Sequence, residues 1–124
     1  MEKTGIVVVS HVREIAEGIQ RLIQEVAADV DVQVVGGVNT HEVGTSFDTA
    51  LATINNSSAD NILAFYDLGS AKMNLEMAIE MSDKTVKIYD VPVVEGAYTA
   101  AALLQTGVDL ENIEEQLREI QIVK

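Results

Sequence analysis

The sequence predicts an α/β domain: an open, mainly parallel sheet of four strands in the order 2-1-3-4, helices on both faces, and a possible short extra strand at the C-terminus. Two observations predict it. Strand-like and helix-like segments alternate along the whole chain, the pattern of parallel strands joined by right-handed helical crossovers. Ile6-Val7-Val8-Val9 is also an unbroken β-branched run, as expected of a central strand covered on both faces.

Taken in order, Ser10 is expected to cap the helix after the first strand, with Ile15, Ile19, Leu22, Ile23 and Val26 at helical spacing as its apolar stripe. Val30 to Val35 alternates apolar and polar and reads as a second strand ending at Gly36-Gly37. Asn39 to Val43 is a polar loop. Gly44-Thr45-Ser46 opens a helix capped by Thr45 or Ser46, with Phe47, Ala50, Leu51 and Ile54 facing inward. A turn-rich break precedes the third strand, Asn61 to Asp67, and Leu68-Gly69-Ser70 leads into a helix from Ala71 to about Ser82. Thr85 to Asp90 is the fourth strand, stopped by Pro92. An alanine-rich helix from about Val94 to Thr106 closes at Gly107. Asp109 caps a last helix with Leu110, Ile113, Leu117 and Ile120 on one face, and Glu114, Glu115 and Glu119 read as its solvated side.

At 124 residues the chain suits one domain, over 1–124, with a substantial core. No apolar run approaches transmembrane length. Glu2 and Lys3 lead straight into a strand-like run, so no signal peptide and a cytoplasmic location are expected. Cysteine is absent, which excludes disulfides and thiolate chemistry. A net charge of -12 argues against nucleic acid and fits a basic protein partner.

The four strands leave His11, Gly36-Gly37, Asp67 and Asp90 at their carboxyl ends. In open parallel sheets that edge is where ligands bind. His11 also sits near a helix N-terminus, which offers free N–H groups to an anion. Its alternatives are nucleophile, base, anion ligand, or a loop residue without chemistry. Known nucleotide loops are missing: there is no Gly-x4-Gly-Lys-Ser/Thr and no Gly-x-Gly-x-x-Gly after a strand. Two histidines without cysteine make the common zinc sites hard to build, so no metal site is expected. His41 reads as an exposed loop residue. Ser10, His11 and Asp67 invite comparison with a hydrolase triad, but Ser10 adjoins His11 and has no Gly-x-Ser-x-Gly elbow.

The residues Ile6-Val-Val-Val-Ser-His11, Gly36-Gly37, Gly44-Thr45-Ser46, Asp67-Leu-Gly-Ser70 with Asn74, and Val93-Val-Glu-Gly-Ala97 run in order from near the N-terminus to the fourth helix. In this respect the chain resembles the mannose-type IIA domains of the bacterial phosphoenolpyruvate:sugar phosphotransferase system. Within that family it looks most like the phosphotransfer subunits of phosphotransferase-dependent dihydroxyacetone kinases. Sugar-transporting relatives usually carry Gly-Gly-Ser-Pro after the aspartate; Leu68-Gly69-Ser70-Ala71 here favours the dihydroxyacetone branch.

The resemblance implies a phosphoryl relay, in which the phosphocarrier protein HPr phosphorylates His11. His11 then passes the group to ADP held on the nucleotide-binding kinase subunit. It also implies a homodimer, and a chain that binds neither dihydroxyacetone nor a metal, with ADP/ATP and magnesium on the partner subunit. Asp67 is expected to orient His11. Ser10, Gly37, Thr45 and Ser46 are candidate phosphate or rim contacts, Arg13 a guide for the phosphate, and Val12, Phe47 and Met73 candidate partner contacts. The other readings are a sugar-transport IIA domain passing phosphoryl to a IIB protein, and a non-enzymatic α/β binding module.

Overall fold

The structure, a computed structural model, describes residues 3–39 and 41–124. Glu2, expected to lead into the first strand, and Thr40 of the polar loop lie outside the described residues. In chain order the elements are β1 (Thr4–Ser10), α1 (Arg13–Gln24), β2 (Val32–Gly36), α2 (Phe47–Asn56), β3 (Asn61–Tyr66), α3 (Gly69–Met81), β4 (Thr85–Ile88), α4 (Val93–Gln105) and α5 (Leu110–Glu119). The sheet is parallel throughout, in the order β2-β1-β3-β4. Register pairs Ser10 with Gly36 and Val9 with Tyr66, so His11 and Asp67 leave adjacent strands at the same level.

The β-branched runs alternate their side chains between the two faces. Ile6, Val8, Leu63 and Phe65 pack under α1, α4 and α5; Val7, Val9, Ile62, Ala64 and Tyr66 pack under α2 and α3. Each such fully buried aliphatic side chain contributes about 1.5–3 kcal/mol. In α5, capped by the Asp109 side chain on the Asn112 N–H, Ile113 and Leu117 are buried against the first cluster. We expect Leu117→Ala to cost about 2–5 kcal/mol in a urea titration, because the strands below cannot move to fill the gap. A cost under about 1 kcal/mol would mean that α5 is not packed as described.

Several expectations need correcting. Residues 121–124 form no strand: they run across the strand ends, with the Ile122 N–H on the Asp90 carbonyl at 2.9 Å. The buried face of α1 is Ala16, Ile19 and Ile23, while Ile15 and Leu22 are exposed. The apolar arc of this helix is wider than the sheet can cover, and the small Ala16 lets the helix approach closely. Glu114 is not simply solvated, since its Oε2 accepts from Nζ of Lys87 at 2.9 Å and from the Tyr89 hydroxyl at 2.8 Å.

Candidate functional site

The carboxyl end of β1 is crowded because β2 presses on it. A side chain at Gly36 would put its Cβ 2.3 Å from the Val12 carbonyl oxygen. Gly37 follows in the left-handed region at φ 78 and donates its N–H to the Ser10 carbonyl at 3.2 Å. This close approach, with the Gly44 N–H on the His11 carbonyl at 2.8 Å, fixes the backbone at His11.

The Asp67 carboxylate, at the exit of β3, gathers four donors. Oδ1 lies 2.8 Å from Nδ1 of His11 and accepts the Leu68 N–H at 2.7 Å. Oδ2 accepts the Ser10 hydroxyl and the His11 backbone N–H, both at 2.8 Å. Burial pushes this carboxyl up, but the bonds from the His11 backbone and ring, the Ser10 hydroxyl and the Leu68 N–H outweigh it and hold it below the ordinary value of 3.8. A carboxylate on Nδ1 selects the tautomer that carries its proton there and leaves a lone pair on Nε2. Nε2 meets the Ser70 hydroxyl at 2.5 Å, in the first turn of α3. That helix starts without a side-chain cap, and the space around Gly69 is open. The imidazole and carboxylate side chains are each only 14% exposed, so the pair is held against the rim and not left to rotate.

A depressed carboxylate links stability to acid. The unfolded chain takes up a proton near the ordinary value and the folded chain only below it, so stability is full above the unfolded value and falls as pH drops through the folded one. Below pH of about 4 we expect the urea midpoint to fall, and to fall less steeply in Asp67→Asn than in the parent. Equal acid slopes would show that Asp67 does not carry this linkage.

The other candidates are placed as follows. Ser10 is buried; its proton goes to Asp67 and its oxygen accepts the Val12 N–H at 3.2 Å. Val12 is the residue at the cap position of α1, so Ser10 is not the cap. Ser46 caps α2, accepting from the Thr49 N–H at 3.1 Å. Thr45 Oγ1 accepts from Nδ2 of Asn74 at 2.7 Å, which ties the start of α2 to α3 and leaves the threonine proton free to donate. Arg13 pairs along its own helix with Glu17, and His41 is exposed. Phe47 packs partly into the core beneath α2 and α3, whereas Met73 is exposed and Val12 half-buried. Ser70, for which the sequence alone suggests no separate role, is brought onto Nε2. Its signals in the sequence are its place at a helix start after Asp67 and its membership of the Asp67-Leu-Gly-Ser70 motif.

Fold and rim together define an α/β domain of the IIA class. The solved structure described as phosphotransferase system component EIIA from Streptococcus agalactiae superposes with a TM-score of 0.64 over 98% of this chain and 96% of that one; at 18% identity it speaks to the fold alone. The chain belongs to the EIIA-man family, whose model, described as "PTS system fructose IIA component", matches residues 5–114. It is 51% identical over 120 residues, 97% of this chain and 98% of the relative, to a Lactococcus lactis protein named "PTS-dependent dihydroxyacetone kinase, phosphotransferase subunit DhaM". It is 42% identical over 118 residues, 95% of each chain, to the Listeria innocua protein named "PEP-dependent dihydroxyacetone kinase 1, phosphoryl donor subunit DhaM". No described helix is long and apolar enough to cross a membrane.

Proposed function

We propose that this chain is the phosphoryl-relay subunit of a phosphoenolpyruvate-dependent dihydroxyacetone kinase, with His11 as the residue phosphorylated. The observation that carries the reading is the 2.8 Å contact between Nδ1 of His11 and Oδ1 of Asp67, with Nε2 at the start of α3. Kinship with proteins named as DhaM supports the system to which it belongs.

In the relay, the Nε2 lone pair attacks the phosphorus of phospho-HPr. The N–P bond in the donor breaks as the new one forms, and the donor imidazole leaves with its electron pair. His11 keeps its Nδ1 proton, and Asp67 stabilises the positive charge that develops on the ring. The Ser70 hydroxyl turns from Nε2 to a phosphoryl oxygen, joined by the N–H groups of Gly69 and Ser70. Phosphoryl transfer asks chiefly for such positioning and charge stabilisation. The second transfer reverses the geometry: a β-phosphate oxygen of ADP on the nucleotide-binding subunit attacks, the N–P bond breaks, and ATP forms there. Ser10 holds Asp67 from below, and Gly37 and Ser46 shape the backbone around the site. Thr45 has a proton left to offer the phosphoryl group.

In this reading the chain holds no cofactor of its own, the nucleotide and magnesium belong to the partner, and the protein works as a homodimer in the cytoplasm. Intact mass after incubation with phosphoenolpyruvate, enzyme I and HPr tests it: a gain of one phosphoryl group is expected, and transfer onward to ADP on the kinase subunits. No gain would remove the relay reading. Gain with transfer only to a IIB protein would make it a sugar-transport domain.

A further inference from the structure

The segment after α5 reaches the rim from the side opposite His11. Pairing of β3 with β4 ends at Ala64 with Ile88, followed by one more bond from the Tyr89 N–H to the Ala64 carbonyl at 3.1 Å. The next carbonyl of β3 on that edge is Tyr66, and β4 has already turned away. Nζ of Lys124 bonds it instead, at 2.6 Å, and bonds the Val91 carbonyl at 2.8 Å. The same ammonium lies 4.0 Å from the centroid of the Tyr66 ring, and the Ile122 N–H on Asp90 holds the segment in this course.

The peptide group so held is the one that joins Tyr66 to Asp67. Its carbonyl is bonded by Lys124 on one side and its N–H by the Val9 carbonyl, at 3.3 Å, on the other. Further out, the Tyr66 hydroxyl donates to Asp90, which Nζ of Lys72 also meets at 3.0 Å. The orientation of this peptide sets the direction in which the Asp67 carboxylate leaves the strand. Resting on the relay reading above, we infer that Lys124 is a positioning residue for the His11–Asp67 pair: it stands in for the missing strand donor and fixes the peptide from which Asp67 aims at Nδ1. A purely structural staple would affect melting and leave the imidazole as it was.

Lys124→Met keeps the stem over the Tyr66 ring and removes the donors; Lys124→Arg keeps donors and charge. We expect Lys124→Met to lower kcat for phosphoryl acceptance about tenfold with KM for phospho-HPr unchanged, since small errors in aim are costly in transfer. The nitrogen resonances of the unphosphorylated His11 ring should shift in the same variant, and Lys124→Arg should restore most of both effects. A parental kcat, a change confined to KM, or unshifted ring resonances in Lys124→Met would overturn the inference. The ring resonances need no phosphoryl donor. If the parent itself takes up no phosphoryl group, the relay reading fails and the resonances alone decide the role of Lys124.

Discussion

We expect His11→Ala to take up no phosphoryl group from phospho-HPr and to remain folded. The chain has two histidines, and the other, His41, is exposed in a loop, its backbone N–H bonded to the Asn39 side chain. Nothing in the described rim offers a second imidazole to replace the first. The fold should survive because three of the four donors on Asp67 do not involve the imidazole: the Ser10 hydroxyl, the backbone N–H of residue 11 and the Leu68 N–H. Intact mass reads the first half of the prediction and circular dichroism the second. Phosphoryl uptake by the alanine variant would move the chemistry to another residue.

Asp67→Asn is expected to fold and to transfer more slowly than the parent, by a factor on the order of 10²–10⁴. Each carboxylate oxygen serves two donors, and an amide has only one oxygen to give. If the amide oxygen stays on Ser10 and the His11 backbone, the NH2 faces Nδ1 and donates to it, which forces the ring proton onto Nε2 and removes the attacking lone pair. If it turns the other way, the NH2 meets the Ser10 hydroxyl and a backbone N–H, and the rim loosens. Either arrangement also loses the negative charge that offsets the developing imidazolium. Single-turnover transfer from phospho-HPr measures the effect. A normal rate would reduce Asp67 to a residue that only organises the backbone at the strand ends.

The topology was legible because its signals are local. β-branched runs mark the strands, Ser46 and Asp109 cap their helices, and Gly107 closes α4 at φ 82. The meeting of His11 and Asp67 followed from strand order, since residues ending adjacent parallel strands share one rim. What sequence could not show depends on contacts between distant residues. Ser10 looks like a helix cap because it precedes a helix; only the neighbouring strand reveals that its proton goes to Asp67. Ile15 and Leu22 match a buried stripe by spacing, but the orientation of α1 is chosen by where Ala16 lets it approach the sheet. Ser70 and Lys124 are single polar residues whose partners lie 59 and 58 positions away. No spacing rule links them to His11 or Tyr66. Asp90 was visible as a strand-end residue, yet its bonds to Tyr66 and Lys72 emerge only when α3 and the sheet are assembled.

The central claim is that Asp67 holds the Nδ1 proton of His11 and leaves Nε2 to carry the phosphoryl group. Two-dimensional NMR of the phosphorylated protein with nitrogen-labelled histidine tests it directly. The account predicts coupling of phosphorus to Nε2 and a protonated Nδ1; phosphorus on Nδ1 would contradict it.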